Sequence, residues 1–511
     1  MCGIVADFGG ANEALVHTMM DSIKHRGPDG SGLAHVGNTI LGHVRLAILD
    51  IAGGSQPMTN ESGDLAIAFN GEIYNHLNLR RTLNDLHHFK TRSDTEVLLH
   101  LYEECGEDLL DQLDGMFAFA MAGPNGMLLA RDPLGIKPLY YGRKGSTFLA
   151  ASELKAFPPM DEIHMLEAGN AMFASGKTWR FARPFPPFAP LITTPLPDVL
   201  YEIRRRLESA VLKRLMGDVP VGVYLSGGLD SSLVAALMRP HSVHLHSFTA
   251  GMEGAPDIKA ARQIAKYLGT EHHELIYTIE DIQKALPEVI WHLESFDAPL
   301  IRSALPMYFV SRIAARHVKV VLSGEGADEL FAGYSYLARI GNGRRLKKEL
   351  ANITVRLQDT NLQRADRMSM AHGLEARVPF LDLDLVRYVS RLPIELIEPR
   401  VNRPEKWLLR QACRGILPPE ILERKKMKFS AGAGSANVVA ELVKTSIDRK
   451  TYEAERMVMP GLELRSPEEL YYYRTWRDVM GAHITPDMIG RTLDRSAGIS
   501  GTRQRSISRI N

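Results

Sequence analysis

Six prolines lie between Pro184 and Pro197, and they divide this chain of 511 residues into two parts. Proline fixes φ and lacks an N–H, so a segment this rich in proline excludes a helix interior and a central strand. A compact domain usually takes about 100 to 200 residues, so several domains are expected. We predict a first domain over residues 1–183, a linker over 184–197, a second domain over 198–490 and a basic, flexible tail over 491–511.

The two sides of the linker carry different patterns. Before it, short β-rich runs at 39–49, 65–74, 116–122, 127–130 and 147–151 predict packed sheets with few helices. After it, apolar residues at three- and four-residue steps predict a helix over 198–216 with Asp198 as its N-cap. Further β-rich runs at 219–225, 243–248 and 318–322 alternate with helical patterns, which favours a parallel sheet, and helices predominate from about residue 359.

Charge and cysteine content narrow the class of protein. Lys and Arg total 61 against 60 Asp and Glu, a net charge of +1, so no broad basic surface for nucleic acid is expected. Cys2, Cys105 and Cys413 form no CxxC pair, which fits a reducing cytoplasm, and we interpret the last two as packing residues. No apolar run reaches 18 residues, so we expect neither a membrane span nor a secretion signal.

The first residues offer a nucleophile. Removal of the initiator methionine would place a free amine and a thiol on one residue, Cys2, followed by Gly3. A terminal amine has a pKa of roughly 7.7 to 8.0, so it can accept the thiol proton near neutral pH, as in the amino-terminal nucleophile (Ntn) hydrolases. A cysteine present there by chance is the plain alternative, and Cys2 taken alone does not exclude it.

Hydrolysis of a side-chain amide also needs donors for the oxyanion, a cation for the substrate carboxylate and an anion for its ammonium group. Asn70 and Gly71 at the end of an alternating run, Arg45 in a β-rich run and Asp94 before a helix predicted over 95–104 supply these types. A hairpin turn, an exposed strand residue and an N-cap are the structural alternatives for the same residues. Spacing alone leaves both interpretations open.

Two loops after predicted strands carry residues suited to a nucleotide. In the segment 225–232, glycines and the N–H groups of a helix start can cradle phosphate, and Asp230 can hold Mg²⁺. The segment 323–329 places three acids among glycines after the run 318–322, at the edge where open α/β sheets bind ligands. A solvated acidic turn is the alternative for this second loop.

Seven segments in one order resemble the class II glutamine amidotransferase domain: MCGIVADFG (1–9), HRGPDGSG (25–32), GHVRLAILD (42–50), NGEIYN (70–75), RSDTEVLL (92–99), LDGMFAFA (113–120) and RDPLGIKPLY (131–140). The resemblance implies an αββα Ntn-hydrolase sandwich with Cys2 as the nucleophile. It implies further that the oxyanion hole is formed by Asn70 and Gly71, that Arg45 binds the glutamine carboxylate, and that the amino group of glutamine is bound by Glu72 and Asp94.

The second part resembles the PP-loop ATP pyrophosphatases and, among them, the synthetase domain of glutamine-hydrolysing asparagine synthetases. The matching segments are SGGLDSS (226–232), PDIKAARQIAKYLGTEHHE (256–274), SGEGADELFAGY (323–334), RADRMSMAHGLEARVPFLD (364–382) and KKMKFSAG (425–432). The resemblance implies an α/β domain with a parallel sheet and additional helices.

The same resemblance implies a role for individual residues. ATP would be bound by Leu225, Ser226, Gly227, Gly228, Asp230, Ser231, Ser232, Ala250, Ser323 and Gly324. Mg²⁺ would be held by Asp230 and Asp328, catalysis would involve Glu325, Glu375 and Lys426, and Arg302 would contact the acceptor carboxylate.

Together the resemblances imply an ATP-dependent ligase that makes L-asparagine from L-aspartate. Ammonia from glutamine would attack a β-aspartyl-AMP intermediate, and glutamate, AMP and pyrophosphate would leave. The implied partners are these small molecules, and a homodimer is held open as the assembly.

Three other functions are alternatives to this one. Pro299 and Leu300 stand where well-known asparagine synthetases carry two threonines, so another carboxylate is an alternative acceptor. A glutaminase with an inert second domain is disfavoured by the intact loop 226–232. A PP-loop enzyme that modifies transfer RNA is disfavoured by the balanced charge and by the absence of a cysteine pair.

Overall fold

The computed structural model of the chain describes residues 2–185, 191–340, 343–400, 402–444 and 446–493. Residues 186–190 of the predicted linker and the predicted tail from 494 onward lie outside these ranges. Within the described ranges, no helix combines the length and the apolar character that crossing a membrane requires.

Two stacked sheets form the first domain. The strands are β1 (Gly3–Phe8), β2 (Gly30–Val36), β3 (Thr39–Arg45), β4 (Met58–Thr59), β5 (Ala66–Ile73), β6 (Gly115–Gly123), β7 (Gly126–Arg131), β8 (Tyr140–Lys144), β9 (Thr147–Ala151), β10 (Glu162–Met165), β11 (Asn170–Phe173) and β12 (Thr178–Arg180). The helices are α1 (Glu13–Ser22), α2 (His76–Leu83) and α3 (Asp94–Cys105). The sheets are antiparallel, with strand orders β10-β8-β9-β1-β3-β2 and β12-β11-β7-β6-β5-β4.

Alternating side chains explain how these sheets stack. Small residues such as Ala68 on β5 and Ala118 on β6 face the other sheet and share a buried cluster with Ile4 on β1. Their neighbours Phe69 and Phe117 belong to a second cluster, which contains the apolar residues of α3. Because α1 packs against β1 and β3 on the other side, helices cover both outer faces. The predicted αββα sandwich is confirmed.

A parallel sheet forms the centre of the second domain. Its strands are β13 (Val221–Tyr224), β14 (His246–Gly251), β15 (Glu271–Ile276), β16 (Val320–Leu322) and β17 (Glu375–Arg377), and a separate hairpin contains β18 (Met457–Met459) and β19 (Leu462–Glu463). The strand order is β15-β14-β13-β16-β17, and every neighbouring pair is parallel. The predicted parallel sheet is confirmed.

Helices surround this sheet and fill the carboxyl-terminal part of the domain. They are α4 (Leu196–Lys213), α5 (Leu229–Met238), α6 (Pro256–Leu268), α7 (Ile279–Leu293), α8 (Ala298–Ala314), α9 (Ala327–Leu330), α10 (Gly343–Val355), α11 (Asn361–Met370), α12 (Leu383–Ser390), α13 (Trp407–Ala412), α14 (Pro419–Leu422), α15 (Phe429–Gly432), α16 (Val438–Val443), α17 (Arg449–Glu455) and α18 (Pro467–Val479). The additional helices expected from about residue 359 are therefore present.

The start of α4 differs from the sequence prediction. The helix begins at Leu196, with Pro195 as its N-cap and Pro197 in its first turn. Proline is tolerated at this end because the first N–H groups of a helix have no partner within the helix. Asp198 is therefore a first-turn residue, and its prediction as the N-cap was wrong.

Buried ion pairs join the two domains. Arg26 of the first domain is fully buried and donates to Glu153 Oε1 at 2.6 Å and to Asp366 Oδ2 of α11 at 2.8 Å. Arg367, also on α11, donates to Glu294 Oε2 at 3.0 Å, and that oxygen also accepts a backbone N–H from the first domain. Removal of one partner from such a pair leaves an uncompensated buried charge, which costs about 3–5 kcal/mol. These contacts hold the domains in one relative orientation.

Candidate active sites

The first site lies where Cys2 meets the second sheet of the first domain. Cys2 directly precedes β1 and is 7% exposed. Its backbone nitrogen donates to Asn70 Oδ1 on β5 at 3.0 Å. Asn70 Nδ2 is buried and has no hydrogen-bond partner among the residues that the structure describes. A side-chain donor is therefore available beside the thiol, as an oxyanion hole requires.

Gly71 allows the close approach of β5 to β6 at this site. Its φ of +157° is strained for other residues, and an added Cβ would lie 2.1 Å from the carbonyl oxygen of Met116. Gly71 pairs with Phe117 across the antiparallel ladder. Asn70 and Gly71 thus lie inside a strand, and the alternative of a hairpin turn was wrong.

Arg45 ends β3 and is held by the loop that follows it. Its guanidinium donates to the carbonyl oxygens of Asp50 at 2.7 Å and Ile51 at 2.9 Å. The side chain is half-buried, so the alternative of an exposed strand residue was wrong. Burial raises the pKa of the Cys2 thiol, while the positive charge of Arg45 acts in the opposite direction and favours the thiolate. Arg45 thus lies close enough to the thiol to act on its charge.

Two buried carboxylates lie on the same side of the site. Asp94 is the first residue of α3, whose N-cap is Ser93, and its Oδ2 accepts the N–H of Ile73 at 2.8 Å. Glu72 pairs with Arg377 of the second domain at 3.1 Å, and within the described part of the chain its Oε2 has no hydrogen-bond partner. Burial raises the pKa of both carboxyl groups. An ammonium group bound here would relieve that cost, as the predicted role of the pair requires.

Glu375, which the resemblance of the second part implies to be catalytic, lies near this first site. It is fully buried at the amino end of β17, and its charge raises the pKa of Cys2, although burial of the thiol has the larger effect. Its register partner is Val320, the first residue of β16, whereas Ser323 follows the carboxyl end of β16. Glu375 therefore lies at the opposite end of the sheet from the loop that carries Glu325.

The second site is a cavity of about 360 Å³ at the carboxyl ends of β13, β14 and β16. The predicted residues that line it are Leu225, Ser226, Gly228, Asp230, Ser231, Ala250, Ser323, Gly324, Glu325, Asp328 and Lys426. Two predicted ATP-binding residues lie just behind the lining. Gly227 adopts a φ of +67° where the loop packs on Ala260, and Ser232 is buried in α5.

Four charged residues meet at one end of this cavity. Lys406 is 2% exposed, and its Nζ lies 2.5 Å from Asp230 Oδ2 and 2.6 Å from Asp328 Oδ1. Lys426 Nζ lies 2.5 Å from Asp328 Oδ2. Burial alone would raise the pKa of the Asp328 carboxyl, but Lys406 and Lys426 outweigh burial and lower the pKa to about 2. Asp328 therefore remains ionised in the buried site.

The two aspartates fit a magnesium ion. Mg²⁺ prefers oxygen ligands from one or two carboxylates together with substrate phosphates. Asp230 Oδ1 is buried and finds no hydrogen-bond partner in the described ranges, and the Lys406 ammonium already occupies the position of a cation between the carboxylates. The donor set and the local charge thus suit the predicted metal.

Arg302 does not line the cavity, and the structure thereby corrects its predicted position. Pro299, Leu300 and Ser303 of α8 line the cavity from one face of the helix. Arg302 lies on another face and donates through Nε to Glu468 Oε1 of α18 at 2.9 Å. The helical period of 3.6 residues places position 302 off the face that residues 299, 300 and 303 share.

Arg364 of α11 supplies a cation to this part of the cavity instead. It donates to Ser303 Oγ at 2.9 Å and forms an ion pair with Glu325. Asn361 Nδ2 donates to the other oxygen of Glu325 at 3.2 Å. Sequence reasoning missed Arg364 and Lys406 because nothing in their local sequence marks a contact with loops distant along the chain.

An Ntn-type site joined to a nucleotide cavity on a parallel sheet defines a glutamine amidotransferase with a synthetase domain. Residues 1–175 match the family model described as a glutamine amidotransferase domain, and residues 202–351 and 338–483 match the model described as asparagine synthase. The match extends to full-length relatives.

Three relatives are glutamine-hydrolysing asparagine synthetases of plants. The protein of Asparagus officinalis is 41% identical and that of Arabidopsis thaliana numbered 1 is 40% identical, each over 93% of this chain and 85% of the relative. The protein of Triphysaria versicolor is 42% identical over 85% of this chain and 78% of the relative. The chain belongs to the family of glutamine-hydrolysing asparagine synthetases.

Proposed function

We propose that this protein makes L-asparagine from L-aspartate, with nitrogen from glutamine and with ATP converted to AMP and pyrophosphate. The observation that carries the proposal is the junction of the two sites through β17. Arg377 on this strand pairs with Glu72 of the first site, and β17 adjoins β16, which leads into the loop of Ser323 and Glu325 at the second site. Two sites joined in this way suit a nitrogen donor and a nitrogen acceptor.

In the first site, Cys2 attacks the side-chain amide carbon of glutamine. Its own amine, free after removal of methionine, takes the thiol proton, and Asn70 Nδ2 with the Gly71 N–H stabilises the oxyanion. Ammonia leaves as the thioester forms, and water then releases glutamate. Arg45 holds the α-carboxylate, while Glu72 and Asp94 hold the α-ammonium group. The free Nδ2 and the two buried carboxylates support these roles.

In the second site, the acceptor carboxylate attacks the α-phosphorus of ATP, and pyrophosphate leaves. The loop 226–232 and the start of α5 offer N–H groups to the phosphates. Mg²⁺ held by Asp230 and Asp328 would supply positive charge for the pyrophosphate. Lys406 and Lys426 bind and orient the pyrophosphate. Arg364 and Glu325 position the acceptor beside the adenylate.

Ammonia then passes inside the protein from the first site to the acyl-adenylate. Helix α11 supports such a route, since Asn361 and Arg364 line the nucleotide cavity while Asp366 and Arg367 line a cavity of about 10 Å³. This small cavity also includes Tyr140 of the first domain, so it lies at the domain contact. A protected route matters because free ammonia is largely protonated at neutral pH and does not attack as ammonium.

One observation favours a second candidate, an amide ligase for another carboxylate. Pro299 and Leu300 both line the cavity and offer no hydroxyl group to an aspartate. The test offers aspartate and other acids with glutamine, Mg²⁺ and ATP, and follows pyrophosphate release with the Asp230→Asn variant as control. We expect pyrophosphate release with aspartate. Pyrophosphate release with another acid, and none with aspartate, would identify that acid as the acceptor.

We also infer a cytoplasmic location, because Cys2, Cys105 and Cys413 are free thiols within the described residues. The homodimer held open above stays a prediction, and light scattering on the purified chain tests it.

A further inference from the structure

Three histidines converge on the second domain at the end of the sheet opposite the nucleotide cavity. His246 is the first residue of β14, His273 lies on the adjacent β15, and His317 lies between α8 and β16. Phe248 is the register partner of His273 and lies two residues after His246, so His246 and His273 share one face of the sheet. No role in amide synthesis falls to these residues.

The ring nitrogens of this cluster lie close together. His246 Nδ1 lies 3.1 Å from His273 Nε2, and the rings of His273 and His317 stack with their centroids 3.9 Å apart. One nitrogen from each of the three rings lies within 4.8 Å of the other two. Nitrogen ligands around a tetrahedral Zn²⁺ are separated by about 3.3 Å, given Zn–N bonds of about 2.05 Å. His317 is exposed, so its ring can move the short distance that brings its nitrogen to the separation found around Zn²⁺.

A carboxylate beside the cluster can complete the ligand set. Glu271 Oε2 lies 3.5 Å from His246 Nδ1 and offers a fourth, partly exposed ligand. Imidazole nitrogens with one carboxylate form a donor set that suits Zn²⁺ and neighbouring transition metals, and not Mg²⁺.

A second group, Glu61, His87 and His100, lies in the first domain but has a different character. His100 Nδ1 pairs with Glu103 at 3.0 Å, and His87 Nε2 pairs with Glu104 at 3.0 Å. Although burial works against it, neighbouring glutamates raise the pKa of His100. Because each of these two imidazoles already pairs with a glutamate, the second group is less suited to bind a metal ion.

We propose that His246, His273 and His317 form a zinc site that ties β14 and β15 to the segment between α8 and β16. The ion would be held by the three imidazoles with Glu271 or water as the fourth ligand. Phe248, two residues after His246 on β14, lines the nucleotide cavity, so the ion would lie about 7 Å along the strand from the nearest lining residue of that cavity. Its role is to stabilise the sheet, and amide synthesis needs no contribution from it.

The test uses the full chain, stripped with a chelator and returned to buffer containing Mg²⁺, so that the carboxylates of the nucleotide site are occupied. Zinc content is measured after equilibration and gel filtration. Co²⁺ is added separately, since its absorption bands report tetrahedral nitrogen ligands and reveal any thiolate contribution from Cys2. The variants are His317→Ala and His273→Ala, with the exposed His164→Ala as matched control and His87→Ala as the probe of the second group.

We expect one zinc ion per chain in the wild type and in the His164→Ala and His87→Ala variants, with a nitrogen-type Co²⁺ spectrum. His317→Ala should weaken binding by more than the 10–100-fold that loss of an outer-shell partner costs. Zinc at about 100 times its Kd should raise the wild-type Tm by on the order of 5 °C and leave the Tm of His317→Ala unchanged.

Three results would overturn the site: no zinc bound by the wild type, unchanged binding in His317→Ala, or loss of binding in His87→Ala. Because His317 is exposed, the His317→Ala variant without zinc should have the same Tm as the wild type without zinc. If His273→Ala fails to fold, the outcome of His317→Ala decides alone.

Discussion

Exchange of Asn70 for aspartate isolates one donor of the glutamine site. Asn70→Asp keeps an oxygen for the hydrogen bond from the Cys2 nitrogen, which is 3.0 Å long, and replaces Nδ2 by an acceptor. Nδ2 has no hydrogen-bond partner among the described residues, so the exchange breaks none of the hydrogen bonds that the structure describes. The lost interaction is made only in the transition state, and such donors contribute about 2.7–4 kcal/mol, or about 10²–10³ in kcat.

The assay follows glutamate release from glutamine and, separately, pyrophosphate release with ammonium as the nitrogen source. We expect the first rate to fall by about 10²–10³ or more, because the new carboxylate also repels the oxyanion, and the second to stay at the wild-type value. The ammonium-dependent rate is the control for correct folding. Glutamine hydrolysis by Asn70→Asp at the wild-type rate would refute the assignment of Nδ2 to the oxyanion hole.

Four further predictions concern the thiol, the nucleotide site and the domain contact. Cys2→Ala should abolish glutamine use and keep ammonium-dependent synthesis, with Cys105→Ala as a control that keeps both; loss of both activities in Cys2→Ala would show that the sites are coupled differently. Asp230→Asn should abolish pyrophosphate release while glutaminase activity survives, and the two rates measured on one preparation check this. Asp366→Ala should lower the free energy of unfolding by at most about 3–5 kcal/mol, because Arg26 loses one of its two buried carboxylate partners and keeps Glu153; the exposed Asp384→Ala is the control, and an equal effect of both variants in urea unfolding would contradict the importance of the buried pair. Asp328, whose folded pKa of about 2 lies below the unfolded value of about 3.9, contributes stability that is present above pH of about 4 and lost as the pH falls toward 2; Lys406→Met should raise the folded pKa toward the unfolded value and so make this loss smaller, and urea unfolding at several pH values measures it.

Much of the fold could be predicted because the local periodicity of apolar residues indicates strands and helices. The strand predicted over 147–151 is β9 (Thr147–Ala151), and the parallel sheet followed from β-rich runs that alternate with helical patterns. The predicted start of one helix was wrong because two properties of proline compete there. At α4, proline excludes a helix interior but is accepted in a first turn, so the helix starts two residues before the predicted Asp198.

The candidate site was predictable where the chemistry lies within one loop. The segment 225–232 and the acids of 323–329 meet in one cavity, as the carboxyl ends of neighbouring parallel strands should. Contacts between distant segments were not predictable. Lys406 lies 176 residues from Asp230 and meets it through tertiary packing alone. The resemblance implied roles for Glu375 and Arg302 in the second part of the chain. The direction of β17 places Glu375 away from the nucleotide cavity, and the position of Arg302 on α8 directs its side chain to α18.

The central claim is that nitrogen from glutamine reaches the acyl-adenylate without mixing with the solvent. It is tested most directly with glutamine that carries nitrogen-15 in its side-chain amide, in the presence of aspartate, Mg²⁺, ATP and an excess of unlabelled ammonium. Mass spectrometry of the asparagine formed gives the fraction that carries the label. We predict that most of the new amide groups carry nitrogen-15; an amide labelled only in proportion to the mixed ammonia in solution would contradict the account.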